Sequence, residues 1–156
     1  MSRRRAAVKR DIIPDSKFNS VKLAKFINKL MYEGKKSVSE KLVYGALELI
    51  QEKYKFDGFE SFNIAMDNIR PQLQLKSVRI GGSNYQVPEV CDVHRGDNLA
   101  YKWLINAMRS RSERSSVEKL AAEIVDAVNK RGAAIKKRED IYKMAEANKA
   151  FAHYCW

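Results

Sequence analysis

The sequence predicts a mainly α fold, a six-helix bundle with a projecting two-stranded β-hairpin arm between the third and fourth helices. Three observations predict it. Apolar residues recur at helical spacing in six separate stretches. Between the third and fourth of these, residues 72–80 and 83–90 are rich in β-branched side chains. Gly81-Gly82 separates those two runs and suits a two-residue hairpin turn.

The core begins near Phe18. Ser20 is placed to cap a first helix whose face carries Leu23, Phe26, Ile27 and Leu30, with Gly34 at its C-terminal stop. Ser37-Val38-Ser39-Glu40 has the spacing of a capping box, and Leu42, Val43, Ala46, Leu47, Leu49 and Ile50 follow as a second helix. A third helix fits Phe59, Phe62, Ala65, Met66 and Ile69, and Pro71 ends it because the residue before proline resists the α conformation.

In the arm, a two-residue turn pairs Val78 with Tyr85 and Lys76 with Val87. Arg79 then lies on the opposite face near the tip. Pro88 removes a backbone donor and argues against a central strand. An isolated ribbon is marginal in water, so the arm is expected to lean on a neighbour. Beyond it, Leu99, Ala100, Trp103, Leu104, Ala107 and Met108 form a fourth helix. Ser115-Ser116-Val117-Glu118 caps a fifth, which carries Leu120, Ala121, Ile124, Val125 and Val128 and stops at Gly132. Ile141, Met144, Ala145 and Phe151 mark the sixth. Residues 1–16 read as a basic extension, and 17–156 as one domain with its arm at about 72–91.

Lys and Arg number 30 against 19 Asp and Glu, a net charge of +11 in 156 residues. Such a surplus is the electrostatic footprint of nucleic-acid binding. Its placement adds to the argument. Arg3, Arg4, Arg5, Lys9 and Arg10 fall within ten residues that contain no acid. Lys35 and Lys36 sit on one turn, Lys76 and Arg79 on the arm, and Arg109, Arg111 and Arg114 at a third junction. Lys136, Lys137 and Arg138 follow Lys130-Arg131 at another. Loops and helix N-termini add backbone N–H groups to such charges, so one phosphate-neutralising surface is expected. Tyr85 has the chemistry to stack on a base, but cross-strand packing is the favoured reading, as core packing is for Trp103.

Sharper chemistries find little support. Two cysteines, Cys91 and Cys155, do not make a disulfide framework. Cys91-x-x-His94 and His153-x-Cys155 offer zinc-type ligands, but at spacings that match no recurrent knuckle, so no metal is expected. No cofactor is expected. Two histidines supply no positioned base, and Glu89, Asp92 and Asp97 do not form a nuclease-like cluster, so an enzyme is not expected. No apolar run approaches the roughly 20 residues needed to span a bilayer, and no secretory signal opens the chain. No membrane role is therefore expected. A DNA-binding architectural protein with a β-arm is the alternative from another class.

Several motifs carry a resemblance over essentially the whole chain. They are Arg3-Arg4-Arg5, Gly34-Lys35-Lys36-Ser37, Asn68-Ile69-Arg70-Pro71, Gly81-Gly82-Ser83-Asn84-Tyr85-Gln86-Val87-Pro88, Leu99-Ala100-Tyr101-Lys102-Trp103, Lys136-Lys137-Arg138-Glu139-Asp140 and the stretch from Met144-Ala145-Glu146 to His153-Tyr154. Together they resemble the bacterial-type small-subunit ribosomal protein number seven family. The resemblance implies a cytoplasmic, ribosome-bound protein, monomeric within the ribosome, that binds the 3′ major domain of 16S rRNA and nucleates assembly of the subunit head. It implies rRNA contacts for the N-terminal arginines, Lys35, Lys36, Lys76, Arg79, Arg95, Arg109, Arg111 and 136–138. It also implies proximity to exit-site tRNA and mRNA for Gly81, Gly82, Ser83, Asn84, Tyr85, His153 and Tyr154, with ribosomal proteins nine and eleven of the small subunit as neighbours. The chain departs from the family between Glu89 and Asp97, where Asp92 and Gly96 stand at positions often held by arginine. Val78 on the arm and Cys155 depart in the same way.

Overall fold

The computed structural model describes Val8 and residues 10–154, the last by its backbone alone. Arg3, Arg4, Arg5, Lys9 and Cys155 lie outside the described residues. Six α-helices and one hairpin follow in order: α1 (Val21–Leu30), α2 (Lys36–Tyr54), α3 (Gly58–Ile69), β1 (Leu73–Ile80), β2 (Ser83–Val90), α4 (Val93–Ser110), α5 (Ser116–Val128) and α6 (Ala133–Ala147). A 3-10 turn, Lys149–Tyr154, closes the described chain.

The core gathers one stripe from each helix. Leu23, Phe26 and Ile27 of α1, Val43, Ala46 and Ile50 of α2, and Phe62, Ala65 and Ile69 of α3 are almost wholly buried. They meet Ala100 and Leu104 of α4, Leu120, Ala121 and Ile124 of α5, and Ala134 and Ile135 of α6. Each large aliphatic side chain moved from water into this cluster contributes roughly 1.5–3 kcal/mol. Phe26 packs on Phe62 and Tyr101, with ring centroids 5.2 and 5.9 Å apart. Trp103 is 8% exposed and packs in the core, as the sequence favoured.

Burial raises the Tyr101 phenol to about 12 from an ordinary 10.0, and the nearby Asp97 charge adds to the shift. A raised acid of this kind favours the folded state below the ordinary value and loses that contribution as pH climbs through the folded one. Stability should therefore fall between pH 10 and about 12, with the Tyr101 phenol ionising late in an ultraviolet titration.

The cap signals were partly right. Ser20 caps α1, its hydroxyl accepting from the Leu23 N–H. Ser115 and Glu118 form the expected capping box on α5. Three boundaries differ. Ser37 does not cap α2, because the helix begins at Lys36 and the Glu40 carboxylate lies 3.7 Å from the Lys36 ammonium instead of reaching back to a backbone N–H. Gly34 sits beyond the α1 end, in a turn closed by the Lys35 N–H on the Tyr32 carbonyl. Gly132 does not stop α5, whose last residue is Val128. It is the N-cap of α6, held at φ +93° with no room for a Cβ beside Glu123. In addition, α4 starts at Val93, several residues before its apolar stripe, and Phe151 lies in the 3-10 turn beyond α6.

The hairpin has the expected register. Val78 faces Tyr85, Lys76 faces Val87, and Gly81 and Gly82 take φ +57° and +92°, the double positive φ of a type I′ turn. The arm leans on the body's own C-terminal end. Val87 is fully buried, the Tyr85 ring lies 5.0 Å from that of Phe151, and the Gln72 N–H donates to the Tyr142 hydroxyl. Cross-strand and tertiary packing thus claim Tyr85, while Arg79 and Asn84 stay exposed on the other face.

Candidate nucleic-acid interface

The six helices divide by how their N-termini are finished. Those of α1, α3 and α5 are closed by the side chains of Ser20, Asp57 and Ser115. Those of α2, α4 and α6 take no cap from their own N-cap residue and have no acid in the first turn, although the Glu123 carboxylate of α5 accepts from the Ala134 N–H at the start of α6. Cations stand there instead: Lys35 and Lys36 at α2, Arg95 at α4, Lys136 and Lys137 at α6. Cations at a helix N-terminus oppose the helix dipole, a local cost that an anion bound to the free N–H groups offsets.

Helix α4 joins these ends. Arg95, Asn98, Lys102, Asn106 and Arg109 recur every three or four residues and are all exposed. Near its start, Arg95 and Lys137 line one groove with Leu75 of the arm. Lys137 and Trp103 line the next groove with Ser110. At its far end, Arg109 and Lys35 border a third. The arm, the α6 N-terminus and the α1–α2 turn are therefore strung along one polar stripe. Asn98, Lys102 and Asn106 were not singled out from the sequence, although their spacing with Arg95 and Arg109 is legible there.

The other expected cations are distributed unevenly. Arg10 is exposed and lines a groove with Lys25 and Lys29 of α1. Lys76 and Arg79 are exposed on β1, and Arg114 in the α4–α5 link. Lys35 pairs with Glu33 at 2.8 Å, an exposed contact that phosphate can displace at little cost. Gly81, Gly82, Ser83 and Asn84 form an exposed tip. His153 is exposed in the 3-10 turn, its ring Nδ1 2.8 Å from the Ala150 carbonyl. Tyr154 closes that turn.

Two expected contacts are committed inward. Arg111 bonds Glu113, Glu123 and Asp126 at 2.8, 2.7 and 2.7 Å. Burial alone would lower its pKa, but the three carboxylates outweigh that and hold the guanidinium firmly charged. Its own backbone N–H and Arg111 in turn hold the Glu113 carboxyl below the usual carboxylate range. Glu123 is 1% exposed and also accepts from the Ala134 N–H at 3.1 Å, so this network ties the α4–α5 link to the α6 N-terminus. Arg138 donates to the Asn68 carbonyl and faces the Tyr142 ring.

The Asn68-Ile69-Arg70-Pro71 motif is structural. The Asn68 amide donates to the Ala127 and Val128 carbonyls, closing the end of α5. Arg70 bonds Asp67 and Asp97. Gly96 packs beneath it, where a Cβ would meet the Arg70 side chain and the Pro71 carbonyl at 3.1 Å. That close approach is the physical reason glycine suits position 96 in this chain. Cys91 is buried at the arm base, and burial raises its thiol pKa. Among the described residues, no three His, Cys, Asp or Glu side chains converge as metal ligands. The His153-x-Cys155 pair lies partly outside them.

A helical body with a cation-lined spine and a basic β-arm defines a class of protein built to hold an extended polyanion. The chain belongs to the Ribosomal protein S7p/S5e family, whose model matches residues 2–149. It is 55% identical to the small ribosomal subunit protein uS7 of Rickettsia massiliae (strain Mtu5) over 154 residues, 99% of this chain and 96% of that one. The protein of the same name from Methylobacterium nodulans (strain LMG 21967 / CNCM I-2342 / ORS 2060) is 53% identical over the full length of both chains. This membership makes the chain a ribosome-bound, rRNA-binding component of the small subunit.

Proposed function

We propose that the chain is a primary binder of the 3′ major domain of 16S rRNA, nucleates assembly of the subunit head, and lies near the exit-site tRNA and the mRNA path. The observation that carries this reading is the exposed stripe of α4, Arg95 to Arg109, set between the cation-bearing N-termini of α2 and α6. Such a surface neutralises a run of phosphates, and the exposed turn of the arm, Gly81 to Asn84, offers a separate contact. Ribosomal proteins nine and eleven are the proposed neighbours, the latter at the C-terminal end around His153 and Tyr154.

Competition between an rRNA fragment of the 3′ major domain and duplex DNA at matched salt tests the reading. The fragment should bind more tightly, and its affinity should fall by roughly 10³–10⁵ between 50 and 200 mM salt if six to ten phosphates are held. Tighter binding to DNA would favour an architectural DNA-binding role instead. Shortening the arm between Lys76 and Val87 should change rRNA affinity less than it changes tRNA or mRNA behaviour in reconstituted subunits. Collapse of rRNA affinity would make the arm an anchor rather than a probe.

A further inference from the structure

We infer that the groove between the α1–α2 turn and the C-terminal end of α4 takes one unstacked base of the bound RNA. The inference rests on the RNA-binding reading above and names the part of the RNA that this groove holds. Its volume is about 370 Å³, within the usual range of small-ligand pockets. Leu30 and Met108 are buried at its edge, and the half-buried Leu42 completes an apolar floor. Tyr32 stands over it, 64% exposed. The Arg109 guanidinium lies 4.5 Å from the Tyr32 ring centroid, which orients the ring through a cation–π contact.

The turn that carries Tyr32 fixes the arrangement. Glu33 and Gly34 adopt φ +50° and +74°, and the Lys35 N–H closes the turn on the Tyr32 carbonyl at 2.9 Å. Aromatic ring and ammonium are thereby set at the two ends of one tight turn. Lys36 follows as the first residue of the uncapped α2. The exposed Ser116 also lines the groove, and a serine hydroxyl can donate to or accept from a base edge.

An apolar floor, a fixed aromatic plate and flanking cations match a nucleotide, with its flat base inside and its phosphate at the rim. Unstacked RNA bases are taken up on aromatic and guanidinium planes in this way. A protein helix would also fill apolar floor, but the cations at the mouth favour the polyanion. Glu33 is the one acid on this turn, and it is occupied by Lys35.

The test uses the complete chain and the 3′ major domain fragment. Tyr32→Ala should weaken binding roughly tenfold with an unchanged salt slope, because stacking is lost and no phosphate contact is removed. Tyr32→Phe should bind like the unaltered chain. An unpaired base shielded from chemical modification by the unaltered chain should become reactive with Tyr32→Ala, while the backbone footprint persists. Equal thermal unfolding of both variants checks the fold. Unchanged affinity and base protection with Tyr32→Ala would overturn the inference and assign the groove to a protein neighbour. A reduced salt slope with Tyr32→Ala would overturn it too, by showing that Tyr32 acts only through Arg109 on phosphate. Failure of the unaltered chain to bind the fragment would sink the parent reading, and this inference with it, before any variant is compared.

Discussion

Replacing Arg111 by alanine should cost about 3 kcal/mol of folding stability, measured as a lower urea midpoint with an unchanged m-value. The reason is Glu123. Its carboxylate is 1% exposed and keeps only the Ala134 N–H once the guanidinium is gone. A buried carboxylate that has lost its cation keeps the desolvation cost without the compensating attraction. The Asp126 and Glu113 side chains are 40% and 30% exposed, so each regains water more readily than Glu123 and contributes less to the loss. Arg111→Lys should fall in between, because a single ammonium cannot match the fork that bonds three carboxylates. The neighbouring Arg114→Ala should shift stability by less than about 0.5 kcal/mol, since its side chain is exposed. The part of the network carried by Glu113 has a defined pH dependence. Its lowered carboxyl stabilises the fold above the ordinary carboxylate value and loses that contribution as pH falls through the lowered one. An Arg111→Ala protein as stable as the parent would show that the junction relaxes and rehydrates Glu123.

The second large effect concerns RNA. Deleting residues 1–10 removes Arg3, Arg4, Arg5, Lys9 and Arg10. If all five meet phosphate, the slope of log affinity against log salt should become shallower by up to about 4. Of this block, Val8 and Arg10 are described, and both are exposed, so urea stability should hardly change. The truncation should stop short of Asp15. That carboxylate is buried and accepts from the Lys17 and Phe18 N–H groups and from the Tyr44 hydroxyl at 2.6 Å, pinning the chain to α2. An unchanged slope would remove the extension from the RNA-binding surface. A loss of stability would mean that it braces the body.

The two experiments separate cations that look alike in the sequence. Arg109, Arg111 and Arg114 lie within six positions, at one helix junction. Folded, Arg109 faces a tyrosine at a groove, Arg111 is locked among carboxylates, and Arg114 is exposed. Two of the carboxylates that claim Arg111, Glu123 and Asp126, are 12 and 15 residues away and are brought near only when α5 folds back along the link. Arg138 is a similar case, since its acceptor, the Asn68 carbonyl, is 70 residues distant. By contrast, the Asp67–Arg70 pair is three residues apart at the C-terminal end of α3 and was open to local reasoning.

What the sequence determined by itself is what depends on neighbours along the chain. Helical spacing placed all six helices. Gly81-Gly82 set the hairpin turn and its register, because only residues tolerant of positive φ close a two-residue turn of that hand. Ser20 and Ser115 marked two helix starts. The total charge and its clustering pointed to a polyanion. Tertiary structure alone decided which cations face outward. It also moved Gly132 from the end of α5 to the start of α6, where Glu123 leaves no space for a side chain. It put Gly96 under Arg70 and turned Tyr85 toward Phe151. Each of these depends on the distance between atoms far apart in the chain, and no local pattern carries that distance.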